Sequence, residues 1–278
     1  MSESFFKKIR IIRKLNEPDG EKIDAVIQQI TSFVHQHDGV QIVTENHVDN
    51  TTLFIAIGGD GTTMRAAHCA ASVQGTVLGI NCGNLGFLSE FKAINVASLL
   101  EDLYANAEGI FTREKRQVLV GSVHEALDKH MAVNDFYVTS SNDTCVAYDL
   151  IVDGEKIATG QRADGVIVCS PTGSTAYALA AGGAIMTPNC RVMQIVAVAP
   201  HALTNRTIIV PSDSTITVEV NSDQDAQLRV DGQKRPLPLN DKGKYVLNVG
   251  TNQRKYFYFV KSKSRDHNFF NIIREKLS

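Results

Sequence analysis

The chain has 278 residues, 43% of them apolar and 21% charged, a globular profile with length for one large domain or two of ordinary size. Lys plus Arg number 28 against 30 Asp plus Glu, a formal net charge of -2 that argues against a nucleic-acid binder but leaves room for a local basic pocket. No apolar run reaches transmembrane length, the start Met-Ser-Glu-Ser-Phe-Phe-Lys-Lys lacks a signal-peptide core, and Cys69, Cys82, Cys145, Cys169 and Cys190 are scattered and odd in number; the expectation is a cytoplasmic protein with free thiols and no membrane partner.

Residues 8–14 read as a first strand. Residues 21–37 read as a helix with Ile23, Val26, Ile27, Ile30, Phe33 and Val34 on one face, ended by Asp38-Gly39. Gln41 to Thr44 is a second short strand, and the apolar run Leu53 to Ile57 is a buried third. That run breaks into Gly58-Gly59-Asp60-Gly61, after which Thr62 is placed to N-cap a helix carrying Met64, Ala66, Ala67 and Ala70. Thr76 to Asn81 is a fourth strand and residues 93–107 a further helix. The order predicts an α/β domain with a mainly parallel sheet, where ligands bind beyond the carboxyl ends of the strands. Gly58–Gly61 and Asn81-Cys-Gly-Asn-Leu-Gly-Phe-Leu88 both lie at such ends and are expected to face one crevice.

Glycine lets the backbone turn sharply and lets a ligand come close, and a helix start offers N–H groups and a positive dipole end to a phosphate. Gly58, Gly59, Gly61, Thr62 and Arg65 are therefore candidate phosphate-binding residues. A bare phosphate cradle gains nothing from Asp60. A carboxylate there suits a base for a hydroxyl or a ligand of Mg²⁺, the alternative being an Asp that only stabilises the turn.

After Glu114 the character changes to a series of strand-like runs, with Asp153-Gly154 as a type I′ hairpin signal between two of them. This divides the chain into an α/β domain over 1–114, a β-rich, sandwich-like domain over 115–262, and a tail, 263–278, whose apolar helix from Asn268 to Leu277 packs back onto the body. Within the β-rich part, Asn134-Asp135 interrupts the apolar run Ala132 to Val138. An amide beside a carboxylate matches ribose hydroxyls or an adenine edge; the alternative is a strand end with local backbone bonding. From Arg162 to Gly183 a strand ends at Ser170-Pro171, Thr172, Ser174 and Thr175 bring hydroxyls to a helix start, and Ala176 to Ala181 forms a helix of small residues on which a flat nucleobase can lie, with Tyr177 to stack on it or bond to it. The chain has no GxxxxGK[ST] loop, no GxGxxG fingerprint, no HExxH and no Cys/His zinc spacing, and His201 in Ala199-Pro-His-Ala-Leu203 reads as a turn histidine rather than a catalytic one.

With these clusters in place the sequence resembles the NAD kinase family, bacterial type, over essentially its whole length. Gly58-Gly-Asp-Gly61 resembles the family's GGDG motif, Asn134-Asp135 its NE/D motif, and Asp164-Gly165 with Ser170-Pro-Thr-Gly-Ser-Thr-Ala-Tyr177 its glycine-rich motif. Asn81–Leu88 and Pro200-His-Ala-Leu203 also resemble family segments. GGDG turns occur in lipid, sphingoid and phosphofructokinases too; TGSTAY after GGDG and NE/D is the specific feature. The resemblance implies a Rossmann-like N-terminal domain, a β-rich C-terminal domain with NAD bound between them, a tail returning to the first domain, and a homodimer or homotetramer.

It also implies transfer of the γ-phosphoryl group of ATP, with Mg²⁺, to the 2′-hydroxyl of the adenosine ribose of NAD. Asp60 is then the proton acceptor. Gly61, Phe87, Asn134, Asp135, Arg162, Asp164, Thr175, Ala176, Tyr177, Ala178, Leu179, Ala180 and Gln233 complete the NAD site, with no metal-binding residue assigned. The family often has Glu where this chain has Asp135, an exchange of one carboxylate for another. The competing expectations are a lipid or sphingoid kinase and a non-catalytic NADP(H)-binding protein.

Overall fold

The computed structural model describes residues 6–14, 20–83, 86–105, 110–123, 128–142, 144–221, 225–263 and 269–277. The chain divides into two compact units, one formed by Met1–Arg116 with Arg254–Ser278 and the other by Gln117–Gln253.

The first unit begins with β1 (Lys8–Arg13), α1 (Gly20–Gln36), β2 (Gln41–Ile42), β3 (Thr52–Ile57), α2 (Asp60–Val73), β4 (Thr76–Asn81), β5 (Phe91–Lys92) and α3 (Val96–Tyr104). The order β2–β1–β3–β4 is parallel throughout, with Leu53 opposite Thr76 and Lys8 opposite both Gln41 and Thr52. Alternation along the strands sorts the two faces. Ile9, Leu53, Ile55, Ile57, Leu78 and Ile80 form one core with α1 (Ile23, Val26, Ile30, Phe33) and α3 (Val96, Leu100, Leu103). Every residue of β3 and β4 is buried, as expected of parallel strands covered on both sides.

The chain continues with β6 (Phe111–Val123), β7 (Asp128–Ala132), β8 (Asp135–Ser140), β9 (Val146–Val152), β10 (Glu155–Ala163), β11 (Gly165–Cys169), α4 (Tyr177–Ala180), β12 (Val192–Val198), β13 (Ile208–Pro211), β14 (Ile216–Asn221), β15 (Ala226–Val230), β16 (Gln233–Arg235), β17 (Lys244–Ser262) and α5 (Phe269–Leu277). In the second unit an antiparallel sheet runs β13–β12–β11–β8–β15–β16, and β10–β9–β14 pairs antiparallel with the first part of β17. Phe136, Val138, Val166, Val168 and Leu228 of the one sheet share a core with Tyr148, Leu150, Val218, Val220 and Leu247 of the other, which makes this unit a β-sandwich. Asp153 and Gly154 both take positive φ, 51° and 85°, and close the β9–β10 hairpin as their sequence predicts. The last part of β17 returns to the first unit beside β4, with Tyr258 opposite Thr76, and α5 belongs to that unit with Ile272 buried.

Two local expectations are corrected. Helix α2 starts at Asp60 with Gly59 as its N-cap and no side-chain cap, so Thr62 lies inside the first turn rather than before it. Gly58 has φ 149°, and a Cβ there would lie 2.6 Å from Thr62 Oγ1, so the hydroxyl fills the space that glycine leaves. The helix expected over Ala176–Ala181 is a 3₁₀ turn over Thr172–Thr175, then a break at Ala176 (ψ -135°), then α4 over Tyr177–Ala180.

Candidate active site

In the first unit the glycine turn and residues 87–89 meet through one carboxylate. Asp60 Oδ2 accepts the Phe87 N–H at 2.9 Å, and Oδ1 accepts the Leu88 N–H at 3.0 Å and the Ser89 hydroxyl at 3.2 Å. Ser89 is fully buried, and its Oγ accepts in turn from Asn81 Nδ2 at 3.1 Å. Asn81 also fixes the start of the segment by accepting the Gly83 N–H at 2.6 Å. The approach is so close that a Cβ on Gly86 would stand 2.0 Å from Asp60 Oδ1. A carboxylate has about four accepting positions, so three described bonds leave one on Oδ2. Around Gly59 and Gly61 an added Cβ would meet nothing within 4 Å. The protein's own packing does not require those glycines.

In the second unit the backbone of Val133–Asp135 is held from two sides. Asp231 accepts the N–H groups of Val133, Asn134 and Asp135 at 2.8, 2.7 and 3.0 Å. On the carbonyl side, Ser170 Oγ donates to Val133 O at 2.6 Å and Ser170 N to Asn134 O at 2.9 Å. Gly173 packs so tightly here that its Cβ would lie 2.2 Å from Asn134 O, which brings the Thr172–Thr175 segment directly against Asn134. The Asn134 carboxamide therefore carries none of the local backbone bonding, and no hydrogen bond of its side chain is found among the described residues. Asp135 is 5% exposed, and burial together with the charge of Asp231 pushes its carboxyl up to about 7. A cavity of about 470 Å³ opens here, bounded by Asn134, Asp135, Ala176, Tyr177, Arg229 and Asp231. Tyr177 is 45% exposed and sets its ring edge-to-face against Tyr137 at 5.3 Å.

The remaining expected residues are placed as follows. Arg162 is exposed and donates to Cys145 Sγ at 3.2 Å; Asp164 is exposed, and its carbonyl accepts the Thr139 hydroxyl at 2.7 Å. The Gln233 carboxamide accepts from Arg235 at 2.6 Å. Ala178 is buried, Leu179 half-buried and Ala180 exposed. Arg65 turns to the Arg13 carbonyl at 3.5 Å. Of the hydroxyls, Ser174 is fully buried and bonds to Pro171 O and Met186 N, and Thr175 Oγ1 donates to Thr172 O at 3.4 Å. Sequence reasoning missed Asp231, although Asp231-Gly232 carries the same signal as Asp153-Gly154: φ values of 47° and 78° close the two-residue turn between Val230 and Gln233. It also missed Gly86, Ser89 and the Asn81 side chain, for which only the loop as a whole gave a signal.

A carboxylate latched into a glycine turn, and a half-buried amide next to a buried carboxyl beside an exposed tyrosine, suit an enzyme of the nucleotide-dependent phosphotransferase class. The ATP-NAD kinase N-terminal domain matches residues 13–108, and the ATP-NAD kinase C-terminal domain matches residues 133–261. An NAD kinase from Koribacter versatilis is 36% identical over 295 residues, covering 97% of this chain and 98% of its own. One from Coxiella burnetii is 35% identical over 253 residues, covering 87% of this chain and 81% of its own. The chain belongs to the NAD kinase family. The fold agrees: yeast NADH kinase complexed with NADH aligns with a TM-score of 0.84 at 23% identity over 98% of this chain and 87% of its own. An NAD kinase from Archaeoglobus fulgidus in complex with ATP aligns with a TM-score of 0.69 at 22% identity, over 96% of this chain and 98% of its own.

Proposed function

We propose that the chain transfers the γ-phosphoryl group of ATP to the 2′-hydroxyl of the adenosine ribose of NAD, giving NADP. The observation that carries this reading is the pair of half-buried Asn134, its amide uncommitted, and buried Asp135, opening on a cavity with Tyr177 in its wall, in a chain whose two halves match the two NAD kinase domains. Asn134 and Asp135 take adenosine or ribose groups, and Tyr177 stacks on or bonds to the base. Gly61, Phe87, Arg162, Asp164, Thr175, Ala176, Ala178, Leu179, Ala180 and Gln233 are the further NAD contacts implied by family motif positions. Asp60 orients the 2′-hydroxyl and accepts its proton through the position left on Oδ2. Phosphoryl transfer depends mainly on in-line positioning and neutralised charge, so a carboxylate fixed by two amides and a hydroxyl is well prepared for that part.

The phosphates of ATP are assigned to the Gly58–Gly61 turn, with Thr62 beside it, where the open space at Gly59 and Gly61 supports close approach. Mg²⁺ enters with ATP, as part of the substrate. Among the described residues no three His, Cys, Asp or Glu gather as a metal cage, and Asp60 is largely engaged, so the residues do not fit a resident metal and no step runs through one. A magnesium ion that keeps water and phosphate oxygens as ligands suits this arrangement.

We read the protein as a cytoplasmic homodimer or homotetramer. The five free cysteines support a reducing compartment, and no helix among the described residues is long and apolar enough to cross a membrane. The test is incubation with NAD, ATP and Mg²⁺, with NADP detected by an NADP-specific dehydrogenase. Folded protein that forms no NADP under saturating substrates would overturn the reading.

A further inference from the structure

A second cavity, of about 300 Å³, lies wholly in the first unit, where α2 covers β1 and β3. Its wall contains Arg10 of β1, Glu45 of the turn after β2, and Arg65 and Cys69 of α2, over the apolar side chains of Ile12 and Phe54. Arg10 is out of place by ordinary sheet chemistry. It projects from an inner strand of a parallel sheet toward a covering helix, where a guanidinium is normally paired. Among the described residues the side chains of half-buried Arg10 and exposed Glu45 make no hydrogen bond or ion pair. Arg65 makes only the long 3.5 Å bond to the Arg13 carbonyl. All three line the one cavity together with Cys69; Arg65 and Glu45 are open to solvent. Two guanidinium groups and one carboxylate thus line a small cavity without neutralising one another.

The geometry points to a ligand that does so: we propose that this cavity binds a small oxyanion bearing an amino group. The anion, a phosphate or a carboxylate, bridges the Arg10 and Arg65 forks, which match either group in bidentate fashion. The amino group meets Glu45, and the ligand's short apolar body lies over Ile12 and Phe54. The site does not use the glycine turn, it gives Arg65 a role other than the phosphate contact expected from the sequence, and its existence does not depend on the proposed reaction.

Cys69 reports occupancy. It is partly buried in the cavity wall and its thiol is pushed up, chiefly by burial, so it reacts slowly, and a ligand seated in the cavity covers it from that side. The experiment measures iodoacetamide modification of Cys69 in the full chain by peptide mass spectrometry, with O-phosphoethanolamine, glycine, inorganic phosphate or ethanolamine present. At ten times its Kd, a protecting ligand slows modification about tenfold by mass action. O-phosphoethanolamine or glycine should protect, and which of the two is stronger identifies the anion. Inorganic phosphate should protect more weakly, and ethanolamine not at all. Arg10→Gln should abolish protection, Arg10→Lys should weaken it, and Glu45→Gln should reduce the amino-bearing ligand to the strength of the plain anion. Melting temperatures within a degree or two of wild type show that the variants are folded. Absence of protection by both amino-bearing ligands, or equal protection in folded Arg10→Gln, overturns the proposal.

Discussion

Gly86→Ala tests how the proposed base is held. The alanine Cβ would lie 2.0 Å from Asp60 Oδ1, 2.6 Å from Cγ and 2.8 Å from Oδ2. Ordinary contact needs about 3.5 Å, so the carboxylate must retreat by roughly 1.5 Å. The bonds from the Phe87 and Leu88 amides, now 2.9 and 3.0 Å, cannot survive that movement. Hydrogen bonds to a charged group contribute about 1.5–3 kcal/mol each, and water can replace part of this, so an overall loss of about 1–3 kcal/mol of stability is expected. A misplacement of about 1 Å at a reacting group costs on the order of 10²-fold in rate, so kcat should fall by at least that much. The assay is initial-rate NADP formation at saturating substrates beside thermal unfolding. Gly61→Ala is the contrast: its Cβ meets nothing within 4 Å, and alanine in a helix is favoured over glycine by about 1 kcal/mol. It should therefore keep or raise the melting temperature while still losing activity through the ligand. The double variant Asp60→Asn, Gly86→Ala should be little worse than Asp60→Asn alone, because both act on one carboxylate. Wild-type kcat in Gly86→Ala, or additive losses in the double variant, would refute the reasoning.

Asp60→Asn should fold normally and lose roughly 10²–10⁴-fold in kcat, the contribution of a general base; near wild-type turnover would remove Asp60 from that role. Asn134→Ala should raise the KM for NAD about tenfold with little change in the KM for ATP, since loss of one buried polar contact costs roughly 1–3 kcal/mol; equal shifts in both constants would detach this residue from NAD. Asp135 has its carboxyl pushed up to about 7 from 3.8, so the unfolded chain ionises first, and this residue's stabilising effect is complete only below the ordinary value and fades as pH rises through 7. From about pH 5 to about pH 8 the wild type should lose roughly 2–3 kcal/mol relative to Asp135→Asn, measured by denaturant unfolding at each pH; parallel curves would contradict the burial argument.

The parallel sheet was legible because β3 and β4 are continuous apolar runs buried on both faces, which few other environments accept. The β9–β10 hairpin was legible from two residues, Asp153 and Gly154, whose joint positive φ suits a type I′ turn. The hydroxyl-rich stretch after Pro171 was less so. Its composition led to the expectation of a ligand-binding segment, but nothing in it said that Ser174 would turn inward to Met186, or that Gly173 was needed against the Asn134 backbone. Both facts depend on partners distant in the chain. The same holds for Asp231, which meets the amides of Val133–Asp135 nearly a hundred positions away, with sequence separations of 98, 97 and 96. A local reading sees the turn and not what its carboxylate reaches.

That difference bears on which aspartate can act as a base. Asp60 and Asp231 both stand in glycine-containing turns and both accept backbone N–H groups. Asp231 Oδ1 takes two of them and Oδ2 the third, which pins a strand start in place, and it has a further interaction besides. Asp60 takes two amides and a hydroxyl, and among the described residues its carboxylate makes no other hydrogen bond or ion pair. A carboxylate committed to the backbone holds structure, while one fixed by three bonds with a position remaining on Oδ2 is rigid and still able to accept a hydroxyl proton. The glycine at 86 and the serine at 89 create that condition, the first by letting the segment approach and the second by occupying Oδ1. The functional reading of Asp60 rests on this count of accepting positions as much as on the motif that contains it.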